Sequence, residues 1–241
     1  MATYTGLSDA NGNFTIPFTQ NYTGGQKVIV KSSKDGAEKS IDLYAPSSVV
    51  GGGIITWTGT TVNFPRNIGV VTIGSEVDGD IAQFAFSASV QSFGYHATGL
   101  VIDNSKNILD RAFSGWVNSK SLVLPITLIT IGVASFQGWN SALSLVIPNS
   151  VKTIGNDAFI TWNSSKSLTL GSGVTSIGSY AFSSWASLVD MVVLPLSPPI
   201  IQNNTFQGIN SSCVIKVPSS SLSSYQTAPN WSAHASKMVG V

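Results

Sequence analysis

Charged side chains are scarce in this chain, making up 10% of its 241 residues, against roughly a quarter in an average globular protein. Solubility therefore has to rest on hydroxyls and amides. Twelve Lys and Arg stand against eleven Asp and Glu, a formal charge of +1, so no field exists to gather phosphates along a groove and a nucleic acid partner is not expected. The single cysteine, Cys213, excludes an intramolecular disulfide. It sits in the apolar run Cys213-Val214-Ile215 with no His, Lys or helix start beside it, and reads as a buried structural thiol rather than a reactive one. No run of about 18 apolar residues is present, so membrane insertion is not expected. The opening Met1 to Gly6 has no basic residue before an apolar stretch, the first Lys being Lys27, and no signal peptide is read there.

Residues that could carry chemistry are equally sparse. His96 and His234 lie far apart, and neither has a Cys, His or carboxylate at metal-ligand spacing. Glu76-Val77-Asp78-Gly79-Asp80 is the densest acidic group, but it lacks the ligand spacing of a 12-residue calcium loop and reads as an exposed turn. Asp110, Asp157 and Asp190 fall at different offsets from their nearest Phe, so they do not face each other as glycosidase carboxylates do. Nucleophile-elbow, P-loop and dinucleotide motifs are missing, and Gly51-Gly52-Gly53 reads as a linker. No catalytic residue, metal site or cofactor is expected, which points to a binding protein rather than an enzyme.

What the chain has is a period. Phe86, Phe113, Phe136, Phe159, Phe182 and Phe206 are separated by steps of 27, 23, 23, 23 and 24 residues. Ile131-Gly132, Ile154-Gly155 and Ile177-Gly178 keep the same step, with Ile108-Leu109 one turn earlier. Each unit also holds a short alternating stretch that stops at Pro or Gly: Leu122 to Pro125, Leu145 to Pro148, Leu168 to Gly171 and Val192 to Pro195. One such strand cannot bury its apolar face alone, but stacked units pair each strand in parallel with the next at ~4.8 Å. The expectation is a mostly β solenoid with a parallel sheet on one side and short helical or irregular segments elsewhere. Leu122/Leu145/Leu168, Leu124/Ile147/Leu170 and the Phe residues become core columns. The longer first step places a loop insertion at Ser92 to Ala97.

The unit Ile147-Pro148-Asn149-Ser150-Val151-Lys152-Thr153-Ile154-Gly155-Asn156-Asp157-Ala158-Phe159 resembles the BspA-like leucine-rich repeat, with the pattern I-P-x-S-V-x-x-I-G-x-x-A-F. Pro198-Pro199, Thr205-Phe206, Val214 to Pro218, Tyr225 and Trp231 resemble the usual end of such arrays. The resemblance runs from about residue 65 to 241 and implies adhesion or receptor recognition, as in bacterial surface adhesins and phage tail proteins. One departure stands out. Where the family commonly has Cys three residues after the Phe, this chain has Trp116, Trp139, Trp162 and Trp185.

Residues 1 to 46 follow a different pattern. Phe14, Ile16 and Phe18 alternate, Val28 to Val30 and Ile41 to Tyr44 follow, and Asn11-Gly12 and Asp35-Gly36 are turn signals. This predicts a small antiparallel β module of three or four strands. Asp9 to Thr15 with Gly25 to Val30 resembles the later half of a bacterial Ig-like domain. A sheet this small has little core of its own and should dock on the solenoid, on a symmetry mate or on another protein, such as other tail or fibre proteins. Residues 47–64 are then a Gly-rich linker and solenoid cap, and Leu222 to Trp231 a short helix capping the far end.

Two readings of the Trp column compete. As core, the indoles fill a wider coil; as an exposed aromatic strip, they stack on sugar faces or anchor a protein. Under the second reading Trp116, Trp139, Trp162 and Trp185 form a ligand-binding line beside the outward strand residues Ser144, Ser167 and Thr169, and binding is insensitive to salt. The function expected first is a phage-tail protein in the virion that recognises a bacterial surface glycan or protein. A secreted or surface-bound bacterial adhesin, and a tail spacer without ligand, are the alternatives.

Overall fold

A computed structural model of the chain describes residues 69–74, 79–89, 95 and 97–241 in full, and the backbone alone of 27–34 and 37–44. In the first module β1 (Lys27–Lys34) and β2 (Ala37–Tyr44) pair antiparallel, with Lys34 opposite Ala37. The turn signal Asp35-Gly36 therefore falls between two paired strands, as the sequence predicts. The remainder of the module, the glycine linker and the cap segment lie outside the described residues, as do most of the insertion Ser92 to Ala97, His96, and Glu76 to Asp78.

From Gly69 onward the chain winds in coils. One side is built from β3 (Gly69–Ile73), β4 (Ala97–Ile102), β6 (Ser121–Val123), β8 (Ser144–Ile147), β10 (Ser167–Leu170), β12 (Asp190–Val193), β13 (Val214–Val217) and β14 (Met238–Gly240), all pairings being parallel. A second, narrow ladder is made by β5 (Asn107–Ile108), β7 (Thr130–Ile131), β9 (Thr153–Ile154) and β11 (Ser176–Ile177). Registers join residues one repeat apart, as in Leu145–Leu168–Met191 and Thr130–Thr153–Ser176. The alternation that makes these segments strands also sorts them by burial: Leu122, Leu145 and Leu168 are buried while Ser121, Val123, Ser144 and Val146 are exposed.

Between the sheet and the far side, Phe86, Phe113, Phe136, Phe159, Phe182 and Phe206 stack nearly parallel, with ring centroids 5.2–5.7 Å apart. The middle four are 0% exposed, so the predicted register of the coils is the one observed. The repeated Ile-Gly glycine follows from how closely coils approach: a Cβ at Gly155 would lie 2.7 Å from the Val133 backbone nitrogen. Two residues in most coils also take left-handed backbone angles, such as Ala134 and Gly138. At the second of these positions Gly115, Gly138 and Gly208 are suited to the turn, whereas Thr161 (φ 65°) and Ser184 (φ 64°) hold it against the cost of a Cβ.

The main sheet is interrupted once. β3, β4 and β6 form one piece and β8 to β14 another. The Leu143 N–H still reaches the Lys120 carbonyl at 3.1 Å, but the ladder goes no further. Two coils along, the Leu194 N–H donates to the Leu170 carbonyl at 3.0 Å. The equivalent donor over Leu124 would be Pro148, which has no N–H to give. Leu122 and Leu124 are accordingly less sealed, at 9% and 7% exposure, than Leu145 and Leu168.

The far end is closed by α1 (Leu222–Thr227), shorter than the segment expected to be helical, and by the 3-10 turn Ser232–Lys237. Buried Tyr225 donates its hydroxyl to the Pro195 carbonyl at 2.8 Å, and buried Trp231 donates its indole N–H to the Pro199 carbonyl at 2.8 Å. The two rings meet edge to face. β14 then adds a final strand to β13.

Candidate recognition face

The tryptophan column belongs to the core. Trp116, Trp139, Trp162 and Trp185 are each 0% exposed, and successive indoles stack at 5.4–5.6 Å with interplanar angles of 1–10°. Each meets the Phe three residues before it edge-on, as Trp139 does Phe136 at 5.7 Å. The exposed aromatic strip raised by the sequence is thereby corrected, because no ligand can reach these rings. Backbone geometry explains why the position takes Trp. In the first coils the Phe86 and Ala88 N–H groups donate to the carbonyls of Ala112 and Ser114 in the next coil. The intervening Phe113 carbonyl points the other way, inward, and accepts from Trp139 Nε1 at 2.8 Å. Trp116, Trp162 and Trp185 serve the Phe86, Phe136 and Phe159 carbonyls in the same way at 2.7 Å. A buried carbonyl without such a donor would cost about 1–3 kcal/mol.

The other expected residues do lie on one face. Ser144, Ser167 and Asp190 stack in one outward row of the sheet and Val146, Thr169, Val192 and Lys216 in a second, with Ser121 and Val123 at the same repeat positions across the interruption. Among the described residues, the hydroxyls of Ser144, Ser167 and Thr169 make no hydrogen bond within the chain. The polar side chains of the turns behave differently. Asp110, Asn149 and Asn156 accept from the Val133, Ser172 and Ser179 N–H groups of the next coil at 2.8–2.9 Å, so they are occupied in holding the stack together. On the sheet face the backbone is thus held by ladder hydrogen bonds within each piece of the sheet, while Ser144, Ser167 and Thr169 keep their hydroxyls unengaged. At one end Lys216 and Asp190 form an ion pair of 2.8 Å across neighbouring strands.

Where the ladder is interrupted, a shallow groove of about 670 Å³ opens on this face. Val123, Val146, Ile126 and Leu194 line it, with Asn149 and Ser150 from the turn. Ile126 is 85% and Val146 61% exposed, so aliphatic surface dominates. Sequence reasoning missed the groove. Its only signal was Pro148, where Gly171 and Leu194 stand in the later coils.

Burial pushes the Cys213 thiol up to about 11, an effect that Lys237 opposes and Asp190 reinforces. The thiol is buried and free, as its apolar setting predicted. His234 is held below its ordinary value, first by burial and then by Lys237, and it lies edge-on to Phe206. Among the described residues no cluster of His, Cys, Asp or Glu is arranged to hold a metal ion.

Comparison with known proteins agrees with this architecture. The model of the BspA-type leucine-rich repeat region matches residues 106–228 in six copies. A leucine-rich repeat protein from T. pallidum is 25% identical, with a TM-score of 0.57 over 69% of this chain and 77% of that one. A leucine-rich cell surface protein from Faecalibacterium prausnitzii is 19% identical (TM-score 0.51, 68% of this chain and 39% of that one). The pneumococcal vaccine antigen PcpA is 18% identical (TM-score 0.52, 80% and 45%). The chain thus spans less than half of the last two proteins. No curated protein matches it. The resemblance of residues 1 to 46 to an Ig-like domain is not carried by any of these matches.

Proposed function

The chain belongs to the BspA-type leucine-rich repeat family, and from that premise we propose that it is a binding protein displayed on a bacterial surface, with the parallel sheet as its recognition face. The observation that carries this reading is the contrast between the two kinds of polar side chain. Turn residues spend their hydrogen bonds on the neighbouring coil, whereas Ser144, Ser167 and Thr169 stand ready beside exposed Val123 and Val146. A preorganised face of this kind loses little entropy when a partner settles on it. The surface location is supported by the cell surface protein of F. prausnitzii, which has the same fold. The phage-tail reading has no such support among the matched structures.

Antibody labelling of intact bacteria that express the gene tests the location, and adherence of the same cells with and without the gene tests the role. Surface signal with adherence lost on deletion is expected. A protein found only inside the cells would overturn the proposal.

A further inference from the structure

Two columns of lysine bracket the groove. Lys120, Leu143, Lys166 and Val189 are linked coil to coil by the Leu143, Lys166 and Val189 N–H groups, each donating to the preceding carbonyl at 3.0–3.1 Å. This column runs along the start of the sheet strands. Past the turn, Lys106, Ile129, Lys152 and Thr175 are linked in the same way. The Lys152 ammonium lies against Gly173, whose turn stacks on that of Asn149 at the groove. In both columns lysine recurs at every second coil, so the paired charges stand about 10 Å apart, twice the strand spacing. All four lysines are exposed, and among the described residues none is in an ion pair. The carboxylate on the outward rows, Asp190, is already matched by Lys216.

An exposed aliphatic patch rimmed by polar and basic side chains is the kind of surface that marks a protein interaction site. Among the described residues no aromatic ring lines the groove as a platform for sugars, and the Trp column is buried. We propose that this face binds an acidic, aliphatic polypeptide segment laid along the solenoid axis, with carboxylates on Lys120 and Lys166 and an apolar side chain in the groove beside Val123 and Val146. Polyproline II geometry suits it, since residues three apart share one side of that helix at a spacing of about 9 Å. The inference rests on the sheet face being the recognition surface, and it replaces the uncharged strip expected from the sequence with a salt-sensitive one.

The test uses the full chain and three labelled twelve-residue peptides, repeats of Glu-Pro-Leu, Lys-Pro-Leu and Glu-Pro-Ser, followed by fluorescence anisotropy at low and high salt. Only the Glu-Pro-Leu peptide should bind well, and salt should weaken it. The double variant Lys120→Glu/Lys166→Glu, with an unchanged melting temperature, should lose about tenfold in affinity for it and gain affinity for the Lys-Pro-Leu peptide. A merely structural role for the lysines would not produce that exchange. Equal binding of all three peptides, or none, overturns the inference, as does tighter lysine-dependent binding of hyaluronan, which would make the occupant an acidic polysaccharide. If the peptides fail but Val146→Glu still abolishes cell adherence, the peptide inference falls and the recognition face stands. If Val146→Glu changes neither readout, the face itself is wrong.

Discussion

Replacing Trp139 separates the two things its side chain does. The indole fills a space with no solvent access between Trp116 and Trp162, 5.5 and 5.6 Å away, and its N–H satisfies the inward Phe113 carbonyl at 2.8 Å. Trp139→Phe keeps most of the ring but leaves that carbonyl unpaired, for an expected cost of about 1–3 kcal/mol. Trp139→Ala also opens a cavity whose walls are pinned by the coils on either side, and the cavity alone costs about 3–5 kcal/mol. The two losses share neighbours, so they need not add. Urea unfolding followed by far-ultraviolet circular dichroism should therefore rank the variants parent, Phe, Ala. The slope should stay constant if the array still unfolds as one unit. A Trp139→Ala protein within about 0.5 kcal/mol of the parent, the size of an ordinary surface substitution, would refute the buried column. Equal stability of the Phe variant and the parent would refute the role given to the carbonyl.

Three further outcomes follow from particular residues. Ser135 is fully buried with no partner for its hydroxyl, at the position filled by Ala85, Ala112, Ala158, Ala181 and Thr205 in the other coils; Ser135→Ala should raise the urea midpoint, by about 1 kcal/mol in stability. Thr161 holds a left-handed turn where Gly115 and Gly138 stand in earlier coils; Thr161→Gly should stabilise by up to about 1 kcal/mol, the relief of strain being partly offset by a freer unfolded chain. Cys213 stays protonated in the fold up to about pH 11, against 9 for an ordinary thiol, and the Tyr225 hydroxyl is also raised by burial. Folded values above the unfolded ones mean that stability is full below pH 9 and is lost as pH climbs towards 11, so melting temperature should fall over that window, and iodoacetamide at pH 8 should leave the folded thiol unmodified.

Much of this fold was legible because a solenoid turns a sequence period directly into a spatial column. The 23-residue step of Phe113, Phe136, Phe159 and Phe182 sets the coil length, and strand alternation alone separates Leu145 and Leu168 from Ser144 and Ser167. The environment of the tryptophans was not legible in that way. A repeated Trp marks a column whether it faces inward or outward, and the deciding fact is the direction of one carbonyl per coil, which residue types do not encode. The groove was hidden for a related reason: Pro125 and Pro148 look alike in sequence, yet only Pro148 sits where a donor is needed over Leu124. Lys120 and Lys166 carry no such signal, because they precede the strands and lie outside the alternation that marks outward positions. Residues 1 to 46 remain tied to one observed hairpin, since neither the period nor the family model reaches them.

The central claim is that the sheet face, and not the second ladder, does the binding. Bulky charge placed on each side tests it. Val146→Glu/Thr169→Glu would place bulk and repelling charge on the face around the groove, while Thr153→Glu on β9 adds the same group to an exposed position of the second ladder. With melting temperatures matched, adherence of cells carrying each variant should be abolished by the first pair and unchanged by Thr153→Glu. Adherence that survives the first pair, or fails with Thr153→Glu alone, would contradict that claim.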